Sequence, residues 1–267
     1  MAQGGNLPNR HTAPKPYLDS AHPVGIAHRG FSRDGLENSL TAFHAARELG
    51  FAYLETDINT TSDGVAVVFH DATLDRTTDG RGAISELPFE QVRAARIGGR
   101  EPIATLDEFI EALPGARFNI DVKDSGSVAP LVRAIEHYGL HDRVCVASFS
   151  ERRRRKVLAG LSRPVASSPG QSLMAAYFLL SPWLPGALVR RLMRSVDVLQ
   201  IPVAHKGLRL VTAASVGRAH RLGLKVHVWT INEPARMEEL LDLGVDGVMT
   251  DRADLLAGVM RGRGWQP

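Results

Sequence analysis

Short apolar runs alternate along the chain with longer stretches whose apolar positions recur at helical spacing. The short runs read as strands: VGIAHRG (24–30), YLETDI (53–58), FNIDVK (118–123), VCVASF (144–149), PVASS (164–168), VLQIP (198–202), KVHVWTI (225–231) and DGVMT (246–250). Amphipathic helices are predicted between them at 39–49, 106–112, 129–138, 151–159, 213–222 and 234–243. Eight strands with intervening helices in 267 residues predict an α/β protein, a (β/α)8 TIM barrel. A doubly wound open sheet is the alternative, but no glycine-rich dinucleotide turn follows the first strand.

One place breaks the alternation. Between Asp57 and VAVVFHD there is no room for a helix, and Ser62-Asp63-Gly64-Val65 reads as a tight turn. With Asp63 and Gly64 as a two-residue type I′ loop, an extra hairpin follows the second strand and Asp57 lies opposite His70. Glu55 and Asp57, two apart, share that strand face. The expected result is convergence of Glu55, Asp57 and His70 at the carboxyl end of the barrel, where such folds keep their active sites.

Two carboxylates on one buried face repel and lose hydration, so they call for a cation. Their hard oxygens, without a zinc-type Cys/His spacing, favour one Mg²⁺ or Ca²⁺ ion. Asp121 offers a third carboxylate at another strand tip, with Lys123 two residues on; a structural ion pair between them is the plainer alternative. The first strand ends in His28-Arg29-Gly30. His28 is a candidate acid or base, and Arg29 presents planar donors suited to phosphate oxygens. A divalent cation, two imidazoles and two cationic anion holders describe a phosphodiesterase more readily than a glycosidase, which works with two separated, metal-free carboxyl groups.

At 44% hydrophobic the chain can bury one large core, and no composition break marks a second domain. The expected division is a flexible tail over residues 1–20 and a barrel domain over 21–262. The 32 cations and 29 acids nearly balance, and 27 of the cations are Arg. That excludes a nucleic-acid surface as the first reading, and the run Arg152 to Lys156 reads as a solvated helix face. Cys145 is the only cysteine, expected as a small buried residue. The first residues lack an apolar signal region, and Pro182 and Pro185 interrupt the longest uncharged run, so the default class is a cytoplasmic enzyme.

Segments GIAHRGFSRDGLENSLTAF, LETDINTTSDGVAVVFHDATLDRTTDGRG, TLDEFIEA, FNIDVK, VWTIN and GVDGVMTD, in that order from Val24 to Asp251, resemble the glycerophosphodiester phosphodiesterase family. The resemblance implies a metal-dependent barrel hydrolase. It would cleave glycerophosphodiesters such as glycerophosphocholine or glycerophosphoethanolamine into sn-glycerol 3-phosphate and an alcohol. By position it makes His28 and His70 the acid/base pair, Glu55, Asp57 and Asp121 the metal ligands, and Arg29 and Lys123 phosphate contacts. It places Trp229 against the glycerol moiety and Glu37 near the site, while Asn38 or Ser39 could be a helix N-cap. The resemblance also suggests attack by the substrate's own 2-hydroxyl, with water then opening a cyclic phosphate; direct attack by water is the alternative the sequence leaves open.

Two positions depart from the family pattern. Asp121 stands where Glu is common, as in sphingomyelinase D-like enzymes, and Leu36 replaces a frequent Pro. A lysophospholipase D-type activity on lysolipids is therefore the alternative, and an inactive phospholigand-binding barrel the reading from another class. The greasy stretch 172–196 predicts an extended helix on the barrel wall. Alternatively it is an apolar lid for lipid-like substrates or a membrane surface, with Arg190, Arg191 and Arg194 facing anionic headgroups.

Overall fold

The computed structural model describes residues 15–32 and 35–267. All eight predicted barrel strands form: β1 Val24–His28, β2 Tyr53–Thr60, β3 Arg117–Val122, β4 Val144–Ala147, β5 Ala166–Ser167, β6 Val198–Pro202, β7 Lys225–Trp229 and β8 Gly247–Thr250. They pair in parallel in the order β5-β4-β3-β2-β1-β8-β7-β6. No ladder joins β5 to β6 among the described residues, and the seam is closed differently. The Asp197 N–H donates to Ser167 O (3.0 Å) and the Ser167 N–H to Asp197 Oδ2 (3.1 Å). Arg154, fully buried, reaches Ser167 Oγ (2.6 Å) and Ser195 O (2.7 Å) while holding Glu151 (2.6 Å). The run 152–156 is thus not a wholly solvated face; its central arginine clasps the barrel.

The helices start where side-chain caps dictate. Ser39 accepts from the Ala42 N–H before helix Leu40–Glu48, and Thr105 and Glu108 form a capping box before Leu106–Ala112. Phe43, Phe109 and Phe118 pack edge-on and tilted between helices and sheet with ring centroids 4.6 and 5.0 Å apart, and truncating such a ring costs about 3–5 kcal/mol. Inside the barrel a second cluster, including Ile26, Tyr53, Cys145, Val198 and Met249, fills the centre. Cys145 is buried, as expected.

Residues on either side of 21–262 pack on the barrel. Tyr17, in a 3-10 turn at Pro16–Leu18, is buried at the amino end of the barrel, where Tyr53 Oη donates to its carbonyl (2.9 Å). At the other terminus, His22 stacks on Trp265 at 5.7 Å. Residues 1–14 of the expected tail lie outside the described residues.

The extra hairpin is present, but its register differs by one. Ile58 pairs with Val68, Asn59 with Val67 and Thr60 with Ala66, so Phe69, not His70, stands opposite Asp57. The loop has three residues between Thr61 and Val65, with a Gly64 N–H to Thr61 O turn (3.0 Å) and Gly64 alone left-handed, at φ 87°. A type I turn closed by a glycine bulge competes with the type I′ turn for the same Asp-Gly pair.

Residues 172–196 form two helices rather than one, Gln171–Leu180 and Gly186–Leu192, broken at Pro182 and Pro185. They do not form a lid. The first starts at the barrel mouth, where Gln171 N–H donates to Phe149 O (3.0 Å), and runs back down the wall. Gly186 then sits beside Leu222, and Gly223 beside Arg190, on the turn that feeds the start of β7. That is the amino end, opposite the site, because a β-to-α crossover returns the chain there.

Candidate active site

β1 ends at His28, and the chain bends at once. Arg29 and Gly30 both have positive φ, 56° and 84°. A Cβ on Gly30 would fall 2.7 Å from the Ala42 backbone, so only glycine fits there. The bend aims Arg29 across the mouth: Nη1 donates to Glu37 Oε1 (2.9 Å) and Nε lies 3.3 Å from Asp57 Oδ2.

His28 is held on one side only. Its Nδ1 lies 2.6 Å from Asp251 Oδ1, just past β8. Asn232 fixes that carboxylate, donating from Nδ2 to Oδ2 (2.9 Å) and accepting the Asp251 N–H at Oδ1 (3.0 Å). A carboxylate on Nδ1 assigns the proton to that nitrogen and leaves Nε2 toward the mouth, 3.8 Å from Glu55 Oε2. Burial lowers the His28 pKa, but the Glu55 charge and the Asp251 hydrogen bond outweigh it and hold it above the ordinary histidine value.

His70 reaches the mouth by another route than the expected pairing. Asn59 Nδ2 donates to the carbonyls of Phe69 (2.9 Å), His70 (3.3 Å) and Asp71 (3.1 Å), bending the chain over the site just after the hairpin strand. There His70 Nδ1 meets Asp71 Oδ1 at 2.5 Å, the same one-sided support that His28 has. Arg76 joins both halves of the mouth, donating to Asp71 (2.6 and 3.0 Å) and to Glu37 (2.7 and 3.1 Å). Its hydrogen bonds hold the Asp71 carboxyl at about 2.

The acids sit on neighbouring strands, all buried. His28 pairs laterally with Glu55, and Asp57 with Asp121. Lys123 Nζ lies 2.8 Å from Asp57 Oδ1 and 2.7 Å from Asp121 Oδ2, with Phe149 beneath it at 5.5 Å. Asn38 donates to Asp57 Oδ2 (3.2 Å) while Ser39 does the capping. Burial, then the Asp57 charge, push the Glu55 carboxyl up to about 7. Burial acts the same way on Asp57, but Lys123 and Arg29 hold it below its ordinary value. Burial raises Asp121.

Among the described residues no three acidic or imidazole groups converge as a ready metal cluster. The plainer ion-pair reading of Lys123 therefore describes the present geometry, because its ammonium compensates the two aspartates. The donor set nonetheless fits a hard dication: Asp121 Oδ1 is buried without a hydrogen-bond partner, and Glu55 carries no compensating ion pair closer than His28.

Trp229 ends β7 half-buried, beside Pro202 in register and packed on the inner cluster. The sequence reading missed Asp251, Asn232, Asp71, Arg76 and Phe149 as site residues. Asp251 carried the same signal as Asp57 and Asp121, an acid at a strand's carboxyl tip. Arg76 carried none, since its role depends on the fold of the segment after the hairpin.

The fold is a (β/α)8 barrel whose mouth gathers two carboxylate-backed imidazoles, Arg29 and Lys123. The pattern of the glycerophosphoryl diester phosphodiesterase family matches residues 28–255. The chain is 43% identical to the Mycobacterium tuberculosis protein named probable glycerophosphodiester phosphodiesterase 2, over 93% of this chain and 94% of that one. It is 26% identical to mouse lysophospholipase D GDPD1, over 85% and 82%. An Oleispira antarctica phosphodiesterase solved with the product sn-glycerol-3-phosphate superposes with TM-score 0.76 at 26% identity, over 90% of this chain and 97% of that one. The chain belongs to the glycerophosphoryl diester phosphodiesterase family and is a phosphoric diester hydrolase.

Proposed function

We propose that the chain hydrolyses glycerophosphodiesters to sn-glycerol 3-phosphate and an alcohol, with His28 and His70 as the proton-transfer pair. The observation that carries this reading is the twin arrangement of the two imidazoles. Each has Nδ1 tied to an aspartate, Asp251 or Asp71, and so each keeps Nε2 for substrate. One imidazole takes the proton of the attacking group as the new P–O bond forms, and the other protonates the departing alkoxide. The attacking group is either water, which gives sn-glycerol 3-phosphate at once, or the substrate's 2-hydroxyl, in which case water then opens the cyclic phosphate to the same product. Arg29 and Lys123 hold the phosphodiester oxygens and offset the charge that builds in the transition state. Glu37 and Arg76 keep Arg29 in place, and Trp229 walls the glycerol side.

Glu55, Asp57 and Asp121 would hold one Mg²⁺ or Ca²⁺ ion, which supplies Lewis-acid stabilisation of phosphate charge. For that, Lys123 has to release at least one aspartate and turn toward the substrate, a move its flexible stem permits.

The deciding assay offers glycerophosphocholine and lysophosphatidylcholine to the purified chain, with Mg²⁺, Ca²⁺ or EDTA. Release of sn-glycerol 3-phosphate from the first, abolished by EDTA, is the expected result. Faster turnover of the lysolipid would transfer the assignment to a lysophospholipase D activity. The exposed apolar residues Leu179 to Leu188 give that alternative no support, because they lie on the part of the segment that has run back to the far end of the barrel.

A further inference from the structure

Among the described residues, the most exposed apolar surface is a proline-bent corner at the amino end of the barrel. Trp183 is 84% exposed and Leu179 71%, with Leu180, Leu184 and Leu188 beside them in the chain and also exposed. No charge interrupts the sequence from Gln171 to Val189, and Arg190, Arg191 and Arg194 follow directly. These three arginines line one surface cavity, together with Val196 and Asp197. Asp197 is the only acid there, and it is already engaged by the Ser167 N–H.

The wider segment has the same bias. From Arg152 to Val196 the sequence holds nine cations and no acid, although the chain as a whole is nearly balanced. An exposed apolar corner flanked by cations matches what binds at the boundary between headgroups and acyl chains. Trp and Leu enter the interface, and Arg meets anionic headgroups. A second copy of this chain is a poor occupant. A two-fold interface sets the same patch against itself, and the one acid lining it, Asp197, is already engaged by the Ser167 N–H and cannot answer three arginines.

We propose that the corner Leu179–Arg194 docks the protein on an anionic lipid bilayer. Docked there, the mouth with His28 and His70 points away from the membrane into water. That orientation serves a deacylated, water-soluble phosphodiester and not a lipid drawn out of the bilayer. The docking itself does not depend on the catalytic reading, since it is measured without substrate.

The test is co-sedimentation of the full chain with vesicles of phosphatidylcholine alone or with phosphatidylglycerol added. Binding should rise by an order of magnitude or more with the anionic lipid and fall with salt, since each interfacial arginine is worth about fivefold. Trp183→Ser with Leu184→Ser and Leu188→Ser should abolish it. Arg190→Gln with Arg191→Gln and Arg194→Gln should remove the preference for phosphatidylglycerol. All six positions lie outside the catalytic mouth, so hydrolysis of a soluble diester should stay within about twofold. Unchanged vesicle binding in both variants, or none by the parent chain, overturns the proposal. So does a lipid-free dimer in which Trp183 is shielded from an aqueous quencher.

Discussion

Asp57 and Asp121 stand side by side in register on β2 and β3, and Lys123 Nζ closes on both, at 2.8 and 2.7 Å. The pair is tolerable in the core because Lys123 lies between them, with Arg29 Nε a further 3.3 Å contact on Asp57. Replacing Lys123 with Met takes the ion pair from Asp121 and leaves Asp57 with Arg29 alone, and breaking a buried ion pair costs about 3–5 kcal/mol. The variant should therefore melt well below the parent in EDTA. If the three acids hold a dication, added Mg²⁺ or Ca²⁺ should raise its melting temperature more than the parent's, in a calorimetric comparison made without substrate.

The two imidazoles should be separately indispensable. His28→Ala and His70→Ala should each lower kcat by about 10²–10⁴-fold, with far-ultraviolet circular dichroism unchanged. Near-parental turnover by either variant would remove that residue from the proton-transfer pair.

Asp251 holds His28 through Nδ1 at 2.6 Å and is itself held by Asn232, which makes it a positioning residue to test. Asp251→Asn keeps the size but loses the charge that fixes the Nδ1 proton, and kcat should fall by about 10²-fold with KM little changed. Asn232→Ala, one contact further out, should cost less. Equal loss in kcat and in thermal stability, without this grading, would point to a purely structural Asp251.

His227 lies buried on β7 with Nδ1 unpaired, and burial pushes its pKa down to about 4. A depressed histidine stabilises the fold above its unfolded pKa near 6.5, and that stability is lost as pH falls through 4, because the unfolded chain binds the proton first. The contribution at neutral pH is on the order of 3 kcal/mol. Urea midpoints should drop between pH 6.5 and 4 in the parent, and much less in His227→Leu.

Arg154 clasps the seam between β5 and β6, so Arg154→Ala should destabilise by about 3–5 kcal/mol by breaking its buried contacts with Glu151, Ser167 and Ser195, while Arg155 stays on Glu151. Arg154→Met combined with Glu151→Leu should recover part of that loss in denaturant titrations. An additive double variant would contradict the clasp.

The strands were legible because a parallel barrel buries its strands in short apolar runs, a local signal that survives without neighbours. Helices Phe89–Ala94 and Ala253–Gly262 were not, the first being too short to show a period. The hairpin was foreseen at Asp63-Gly64, but two turn types accept that dipeptide, and a choice of one residue decides the register. The error left the destination of His70 intact, because Asn59 gathers three successive carbonyls and sets the bend directly.

What the amino-acid order determined on its own is the alternation of elements and the chemistry carried on strand tips: His28, Glu55, Asp57 and Asp121 each announce themselves by sitting where a core strand should stay apolar. Tertiary structure alone decided who meets whom. It brought Asp251 to His28 across 223 positions and put Arg76 between Glu37 and Asp71. It also sent the apolar corner at Trp183 to the end opposite the site. Local patterning reports which face a residue occupies, whereas partners across a closed barrel follow from strand order and helix return, which no short window of sequence contains.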